Sequence, residues 1–307
     1  MKRGRTINVL FVFGFYLWLL PSFGQAATVN CNQGQSLQAA INAAKSGTFV
    51  NPTIINVTGI CNQNVVIDRT KNNITLNGGG TATLHGVDAN TNTVEVLGRG
   101  ITIKGFAITG GNNGIQVDRG GSAVIDGNNI HDAQNNGISV GQNSHADIIK
   151  NTIQNNPNQG IVVYDNSSAH IGFVTYGDTT AQRNTIQSNG NQGIRVQKSS
   201  SAAIVKNTIR NNTSNGIHVT RASHADIAGN VINGNGDNGI KVDGNSGVNL
   251  GNPGGTSIFD LANTTTVNNS KRGVYCEIGG YADGLLGTLN GVNGDALFDA
   301  SCIDSLQ

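Results

Sequence analysis

The chain has 307 residues, of which 12% are charged, and its formal net charge at pH 7 is +1. Glycine is abundant, with 43 residues, whereas aromatic residues make up only 5%. This balance supplies no basic surface for nucleic acid or for an anionic membrane, so we expect neither as a partner. The chain also carries an Ile/Val periodicity, described below, that a disordered linker of the same polarity would lack.

Residues 1–26 are predicted to be a signal peptide. Lys2, Arg3 and Arg5 form a positive region, and an apolar run and small residues before Ala27 follow it. An uncleaved anchor is the alternative, but the apolar run of about 14 residues is short for a membrane span. Cleavage removes three of 19 basic residues and none of 18 acidic ones, which leaves 16 against 18. We expect a secreted or periplasmic protein without a membrane segment after cleavage.

The cysteines form one pair before the repeats and one pair after them, namely Cys31, Cys61, Cys276 and Cys302. In an exported protein an even number favours disulfides, most simply Cys31–Cys61 and Cys276–Cys302. A metal site is the alternative, but neither pair has Cys-x-x-Cys spacing. We predict no metal and no other cofactor.

Residues 36–44 are predicted to form a helix, with Ser36 as its N-cap and Leu37 and Ile41 on one apolar face. A solenoid has to cover its open end, so this helix suits an N-terminal cap over residues 27–62. Short β-branched runs separated by Gly and Asn then predict the first strands: Thr53–Val57, Asn64–Ile67, Ile74–Leu76, Thr93–Val96 and Ile101–Ile103.

One tripeptide, Asn/Gln-Gly-Ile, recurs along the chain, and its last copy is relaxed to Arg-Gly-Val. Its glycines are Gly114, Gly137, Gly160, Gly193, Gly216, Gly239 and Gly273. The steps between them are 23, 23, 33, 23, 23 and 34 residues. A fixed period with two insertions is typical of a solenoid, in which each period is one coil.

The aliphatic residues of each coil fall into three columns, which predicts three short parallel strands per coil. A column of Asn precedes the third strand: Asn128, Asn151, Asn184, Asn207 and Asn230. We interpret it as a structural ladder at a corner, in which Asn adopts the left-handed conformation and amides bond along the axis. The Gly column indicates positive φ or a close approach of backbones.

This pattern, together with the preceding helix, resembles the pectate-lyase-like superfamily. That resemblance implies an all-β, right-handed parallel β-helix of three sheets with about 23 residues per coil and a short N-terminal capping helix. It implies a β-helix over residues 63–275 and a C-terminal cap over 276–307. The superfamily contains lyases, hydrolases, epimerases, adhesins and non-catalytic proteins, so the resemblance does not define an activity.

The residue after the motif Ile is neutral in three coils and then becomes Arg195, His218 and Lys241. Like charges on neighbouring strands repel, and an anionic ligand such as a uronate polysaccharide would relieve that repulsion. In β-elimination or C5 epimerisation, Arg195 would neutralise the carboxylate, Lys241 or His218 would be the base, and Tyr164 would return a proton. The alternative is an ordinary solvated face.

A second group of candidate substrate-binding residues lies one position before the Asn column: Lys150, Arg183 and Lys206. His170 and Asp226 are further candidates, predicted to point outward beside the two insertions, and neutral surface insertions are the alternative. The two insertions leave the coil at the neighbouring corner, three coils apart. Loops on a repeat array tend to share one face and to carry binding. We expect them to wall a trough about 14 Å wide.

Pectin hydrolases of the superfamily carry Gly-His-Gly and Arg-Ile-Lys signatures, which are missing from this sequence. The segment Tyr164-Asp165-Asn166-Ser167 matches only the first two positions of the Tyr-Asp-Pro-His pattern of many alginate epimerases. Asp118 and Asp243 lie too many coils apart to share a calcium ion. We expect a monomeric protein that recognises an acidic polysaccharide, with or without lyase or epimerase activity. The alternative is a non-catalytic surface, scaffold or carbohydrate-binding protein.

Overall fold

The computed structural model describes residues 27–307, so the predicted signal peptide lies outside the described residues. The described chain winds into stacked coils of short strands, and successive coils pair in parallel. One 3-10 helix, Cys31–Gln33, and one α-helix, Leu37–Ala43, precede the first complete coil. Among the described residues, no helix has the length and apolarity of a membrane span.

The α-helix covers the open end of the coil stack. The Ser36 side chain accepts a hydrogen bond from the backbone N–H of Ala39 as an N-cap, and the helix ends before Ala44. Leu37 and Ile41 are fully buried against the first coils. The helix is therefore one residue shorter at each end than the predicted range 36–44, because the outer residues are its caps.

The strands that follow the seven motif glycines belong to one ten-stranded parallel sheet, which we call the motif sheet. Its strands are Val65–Ile67, Val94–Val96, Ile115–Val117, Ile138–Val140, Ile161–Val163, Ile194–Gln197, Ile217–Thr220, Ile240–Val242, Val274–Cys276 and Ala296–Phe298.

Two further faces complete each coil. The second sheet contains Ala27–Asn30, Thr53–Thr58, Ser122–Asp126, His145–Ile149, Ser168–Ile171, Ser201–Val205, His224–Ala228, Gly247–Leu250, Tyr281–Gly284 and Ile303–Leu306. The third sheet contains Ile60–Asn62, Asn129–His131, Thr152–Gln154, Thr185–Gln187, Thr208–Arg210 and Val231–Asn233. Two long strands, Ile74–Gly86 and Ile101–Gly110, turn the corner and belong to both faces, so the two faces join as one 18-stranded sheet.

The motif glycine is required by a close approach of coils. A Cβ on Gly137 would lie 2.7 Å from the carbonyl oxygen of Gly160 and 2.6 Å from Cγ2 of Ile153. Any larger residue would push the coils apart. Of the two explanations that the sequence allows, close approach rather than positive φ therefore accounts for this column.

The predicted Asn column is a buried ladder of hydrogen bonds. The side-chain oxygen of Asn207 accepts from the backbone N–H and the Nδ2 of Asn184, at 3.1 and 2.9 Å. Its Nδ2 donates to the carbonyl oxygen of Ile171 at 2.8 Å and to Oδ1 of Asn230 at 3.2 Å. Each Asn thus satisfies the polar groups of the adjacent coil.

In four of the five coils the left-handed residue of this corner is the one before the ladder Asn, which corrects the predicted role of Asn. Lys150 has φ 56° and Lys206 has φ 60°, whereas no ladder Asn within residues 27–307 has positive φ. The Asn stays in the ladder because its amide reaches both neighbouring coils. Two further buried ladders were not predicted. The second Asn ladder consists of Asn156, Asn189, Asn212, Asn235 and Asn269. The Ser ladder consists of Ser144, Ser167, Ser200, Ser223 and Ser246.

The predicted disulfides are both present, Cys31–Cys61 in the first coils and Cys276–Cys302 in the last. The segment 276–307, predicted as a separate cap, adds strands to the same sheets: Tyr281–Gly284 pairs with Gly247–Leu250 and with Ile303–Leu306. The coil stack therefore continues beyond residue 275.

Replacement of a ladder Asn should destabilise the protein strongly. In Asn207→Ala, buried partners in two coils lose their hydrogen bonds, so we expect the free energy of unfolding to fall by about 2–3 kcal/mol. Denaturant unfolding followed by circular dichroism measures this change. Asn129→Ala, on the exposed side of the third sheet, is the control and should change stability by less than about 0.5 kcal/mol. Equal effects of the two variants would contradict the ladder's role.

Candidate functional site

The outward side of the motif sheet, which we call the motif face, carries one side chain per coil in a continuous row. The row is Glu95, Gln116, Ser139, Val162, Arg195, His218, Lys241 and Tyr275. Arg195 lies opposite His218, and His218 lies opposite Lys241, in the adjacency that the period predicts. Their strands are about 4.8 Å apart.

His218 is held by a carboxylate from the next coil. Its Nε2 lies 2.9 Å from Oδ2 of Asp243, and both residues are buried. The same carboxylate oxygen lies 3.4 Å from Nζ of Lys241, which also pairs with Glu277 at 2.7 Å. The hydroxyl of Tyr275 donates to Glu277 at 2.8 Å. Asp243 thus orients His218 and links it to the charges of the next coils.

The charges of this network shift the pKa values of Asp243 and Lys241 in opposite directions, and both shifts favour the charged forms. Burial alone would raise the pKa of Asp243, but hydrogen bonds from His218 and Thr220 and the nearby cations hold that pKa well below its usual range. Burial would lower the pKa of Lys241, but Glu277 and Asp243 outweigh it and raise that pKa. Lys241 is therefore a firmly protonated ammonium at neutral pH.

Arg195 is the cation without a partner on this face. It is half-buried, and none of the ion pairs found among residues 27–307 involves it. Burial lowers its pKa, the charge of Arg221 acts in the same direction, and Asp243 opposes them. A guanidinium stays charged under such conditions, so Arg195 presents an uncompensated positive charge to the motif face.

Buried polar atoms without a hydrogen-bond partner concentrate on the motif face. In the part of the chain that the structure describes they are Asp118 Oδ1, Arg195 Nε, Gln197 Oε1 and His218 Nδ1. Buried polar groups are normally satisfied, so a cluster of unsatisfied ones on one surface is typical of a binding site. Asp118, Arg195 and Gln197 line a cavity of about 520 Å³, and Lys241 lines a second one of about 340 Å³ in the following coils.

Tyr164 lines the larger cavity but is directed away from His218. Its ring lies over Gly141 in the preceding coil, where a Cβ would collide with it. Its hydroxyl accepts a hydrogen bond from Nε2 of Gln116 at 3.2 Å, two coils from its own strand. Nζ of Lys198 stands 5.7 Å from the ring centroid. The structure therefore brings Arg195, His218 and Lys241 together but not the Tyr164 hydroxyl.

The two insertions lie over the second sheet and touch each other, so they do not wall the open trough that was expected. The rings of Phe173 and Phe259 are 4.8 Å apart, and those of Tyr176 and Phe259 are 5.1 Å apart. They leave a smaller pocket of about 220 Å³, which Asp226 also lines. The loops meet because apolar aromatic side chains bury one another across the gap.

Of the other predicted binding residues, only His170 is associated with this pocket. His170 stacks on Phe173 with ring centroids 4.7 Å apart and so supports the aromatic loop from below. Lys150, Arg183 and Lys206 do not line the pocket, and Lys150 lies 3.7 Å from Asp126 in an exposed ion pair. The corner cations and the loop pocket are separate features.

Sequence reasoning missed two pairs of residues on the second sheet. His145 Nε2 lies 3.1 Å from Asp147 Oδ1, and His224 Nε2 lies 3.1 Å from Asp226 Oδ1. The sequence carries a signal for both, because His-Ala-Asp occurs at 145–147 and again at 224–226. Alternation along a strand places the His and the Asp on the same side.

Comparison with known proteins defines the class. The chain matches the family described as "Right handed beta helix region" over residues 39–175, 94–254 and 170–276. The protein therefore belongs to the right-handed parallel β-helix family, which agrees with the resemblance to pectate-lyase-like proteins. No curated protein sequence matches the chain.

Solved structures of the periplasmic alginate epimerase AlgG share this fold. One AlgG mutant superposes with a TM-score of 0.53 at 15% identity, covering 91% of this chain and 82% of that one. Another AlgG structure gives a TM-score of 0.52 at 16% identity, with coverages of 91% and 67%. A further AlgG mutant superposes with a TM-score of 0.55 at 15% identity, covering 83% of this chain and 77% of that one. At this identity the likeness describes the fold.

The carboxylate that holds His218 should make stability depend on acidity. The pKa of Asp243 is depressed in the folded protein, so its contribution is present above its unfolded pKa of about 4 and is lost as the pH falls below it. Asp243→Asn should reduce the loss of unfolding free energy between about pH 4 and pH 2 by ~1–2 kcal/mol. Urea unfolding at each pH measures it, with exposed Asp304→Asn as the control. Parallel profiles for wild type and Asp243→Asn would contradict the assignment.

Proposed function

We propose that the protein binds an acidic polysaccharide along the motif face and catalyses lyase or C5 epimerase chemistry on its uronate residues. The observation that carries this proposal is the juxtaposition of unpaired Arg195 with His218, whose Nδ1 has no partner while Asp243 holds its Nε2. A cation for the carboxylate and an oriented base beside it are what proton abstraction next to a carboxylate requires.

His218 is the base in this proposal. Its Nε2–H donates to Asp243, which leaves the lone pair of Nδ1 to take the proton at C5 of the uronate. Lys241, the other candidate, remains protonated because two carboxylates surround it. Nδ1 is buried in the structure, so the proposal requires neighbouring side chains to move aside when substrate binds.

Arg195 neutralises the uronate carboxylate and stabilises the negative charge that forms when C5 loses its proton. From that intermediate, breakage of the C4–O bond gives elimination with a C4–C5 double bond, and the leaving oxygen takes up a proton. Protonation of C5 from the opposite face gives epimerisation instead. With its hydroxyl bonded to Gln116, Tyr164 would contact a neighbouring sugar unit on the motif face. To return a proton to C5, it would have to break that hydrogen bond.

The comparisons support the substrate class. AlgG is a periplasmic alginate epimerase on the same fold, and alginate is a polyuronate. The two disulfides are consistent with the periplasm or the extracellular space, and we propose export through the segment 1–26. We propose a monomer, in which the motif face stays open along its length for an extended glycan.

Substitutions at His218 and Arg195 should lower the catalytic activity without unfolding the protein. Incubation with a panel of polyuronates, followed by ultraviolet absorbance for unsaturated products and by proton NMR for epimers, should give turnover by the wild type. His218→Asn should lower kcat at least about 100-fold with little change in KM. Arg195→Met should lower kcat/KM by a similar factor, because the carboxylate and its developing charge lose their partner.

The control for this experiment is His131→Asn, on the third sheet, which should retain wild-type turnover. Circular dichroism establishes that each variant is folded. Absence of any product from all polyuronates, or full activity of His218→Asn, would contradict the proposed enzyme.

A second candidate function, non-catalytic carbohydrate binding, is favoured by the pocket between the two loops. Tyr176 and Phe259 present aromatic faces on which a sugar ring can stack, and Asp226 and Asn249 supply acceptors and donors for its hydroxyls. His170 belongs to this pocket through its stacking on Phe173.

Loss of the aromatic faces should abolish binding at this pocket. Tyr176→Ala should weaken retention on immobilised neutral polysaccharides at least about 10-fold, which corresponds to the loss of one stacking contact. Affinity electrophoresis measures it. The control is Phe49→Ala, which removes an exposed ring from the N-terminal segment outside both proposed sites. If Tyr176→Ala retains wild-type retention, or if the wild type is not retained, the pocket is not a sugar site.

A further inference from the structure

Three side chains converge on the outward side of the second sheet, and the proposed functions use only one of them, His170, as a support of the loop pocket. Asp147 lies opposite His170 in the next coil, and His145 lies two residues before Asp147 on the same strand. Asp147 Oδ1 is 3.1 Å from His145 Nε2 and 2.9 Å from His170 Nδ1. Donor atoms of all three residues lie within 4.8 Å of one another.

These separations are close to those of a metal-ligand set. Two ligand atoms that each lie about 2.0–2.2 Å from a tetrahedral zinc ion are about 3.3–3.6 Å apart. The two carboxylate–imidazole distances would have to lengthen by only a few tenths of an ångström around an ion, and the two imidazole nitrogens already lie within 4.8 Å of each other. Two strands in fixed register hold all three residues, so the site is positioned by sheet rather than by loop.

The surroundings orient the ligands as in known metal sites. Oγ of Ser168 lies 2.8 Å from Nδ1 of His145, so it can accept from Nδ1–H and leave the lone pair of Nε2 for the ion. Ligation through Nδ1 of His170 would replace its present hydrogen bonds to Asp147 and to the carbonyl oxygen of Val174. The ring of His170 is fixed by stacking on Phe173.

The chain contains a near copy of this arrangement that lacks one ligand. His224 Nε2 lies 3.1 Å from Asp226 Oδ1, and Asn249 Nδ2 lies 2.9 Å from the same oxygen. Asn249 pairs with Asp226 in the register in which His170 pairs with Asp147. An amide nitrogen is not a metal ligand, so only the first arrangement offers two imidazoles and a carboxylate.

We propose that His145, Asp147 and His170 bind a divalent first-row transition metal of the Zn²⁺ type, with water at the remaining position. Two imidazole nitrogens favour such an ion over Ca²⁺ or Mg²⁺, which prefer all-oxygen sites. The bound ion fixes His170, and through Phe173 and Phe259 it fixes the contact between the two loops.

Metal stoichiometry tests this site. The full chain, stripped with a chelator and then dialysed against Zn²⁺ alone, should bind one equivalent, measured by elemental analysis and by calorimetric titration. His170→Asn converts the cluster to the composition of its near copy and should bind none. Asn249→His supplies the missing imidazole to the copy, and its stoichiometry should rise to two. His131→Asn removes an exposed imidazole elsewhere and should still bind one.

Stability provides an independent readout, because a ligand that binds only the folded state raises the melting temperature. Zn²⁺ should raise it for the wild type and for His131→Asn but not for His170→Asn. Absence of bound Zn²⁺ in the wild type overturns the proposal. One equivalent in both wild type and His170→Asn, or unchanged stoichiometry in Asn249→His, overturns it as well.

Discussion

The amide hydrogen bond from one coil to the next is the interaction on which the rest of the structure depends. Each corner of a coil turns the backbone away from the sheets and buries polar groups that only the adjacent coil can satisfy. The Asn side chain meets this need because it accepts and donates at once, as Asn207 does between Asn184 and Asn230. A ladder of such side chains locks neighbouring coils into one register.

Because of that register, residues that recur with the period form a row on one surface of the protein. Residues one period apart lie side by side on adjacent strands, so Arg195, His218 and Lys241 become neighbours although 23 residues separate each from the next. The surrounding carboxylates then give them different properties. Asp243 and Glu277 neutralise Lys241, whereas Arg195 keeps its charge available. In the proposed mechanism, His218 is therefore the base, Lys241 is an ion-paired cation on one side of it, and Arg195 is an unpaired cation on the other side.

The period predicted the coils, the Asn ladder and the neighbours of His218, and the even number of cysteines predicted the disulfides. Features that depend on the direction of a long side chain escaped prediction. Tyr164 belongs to one coil by sequence but places its hydroxyl at Gln116, because Gly141 leaves room for its ring. The contact between Phe173 and Phe259 depends on loops outside the repeat. The cluster of His145, Asp147 and His170 could be predicted only by combining alternation within one strand with register between two strands.

The most direct test of the motif face as a site of proton abstraction is hydrogen exchange at C5 of a polyuronate in deuterated water. Elimination and epimerisation share this step, so the measurement does not depend on which product forms. We expect the wild type to introduce deuterium at C5 or to release product, and His218→Asn to do neither while remaining folded. Exchange by His218→Asn at the wild-type rate, or none by the wild type with any polyuronate, would contradict proton abstraction by His218.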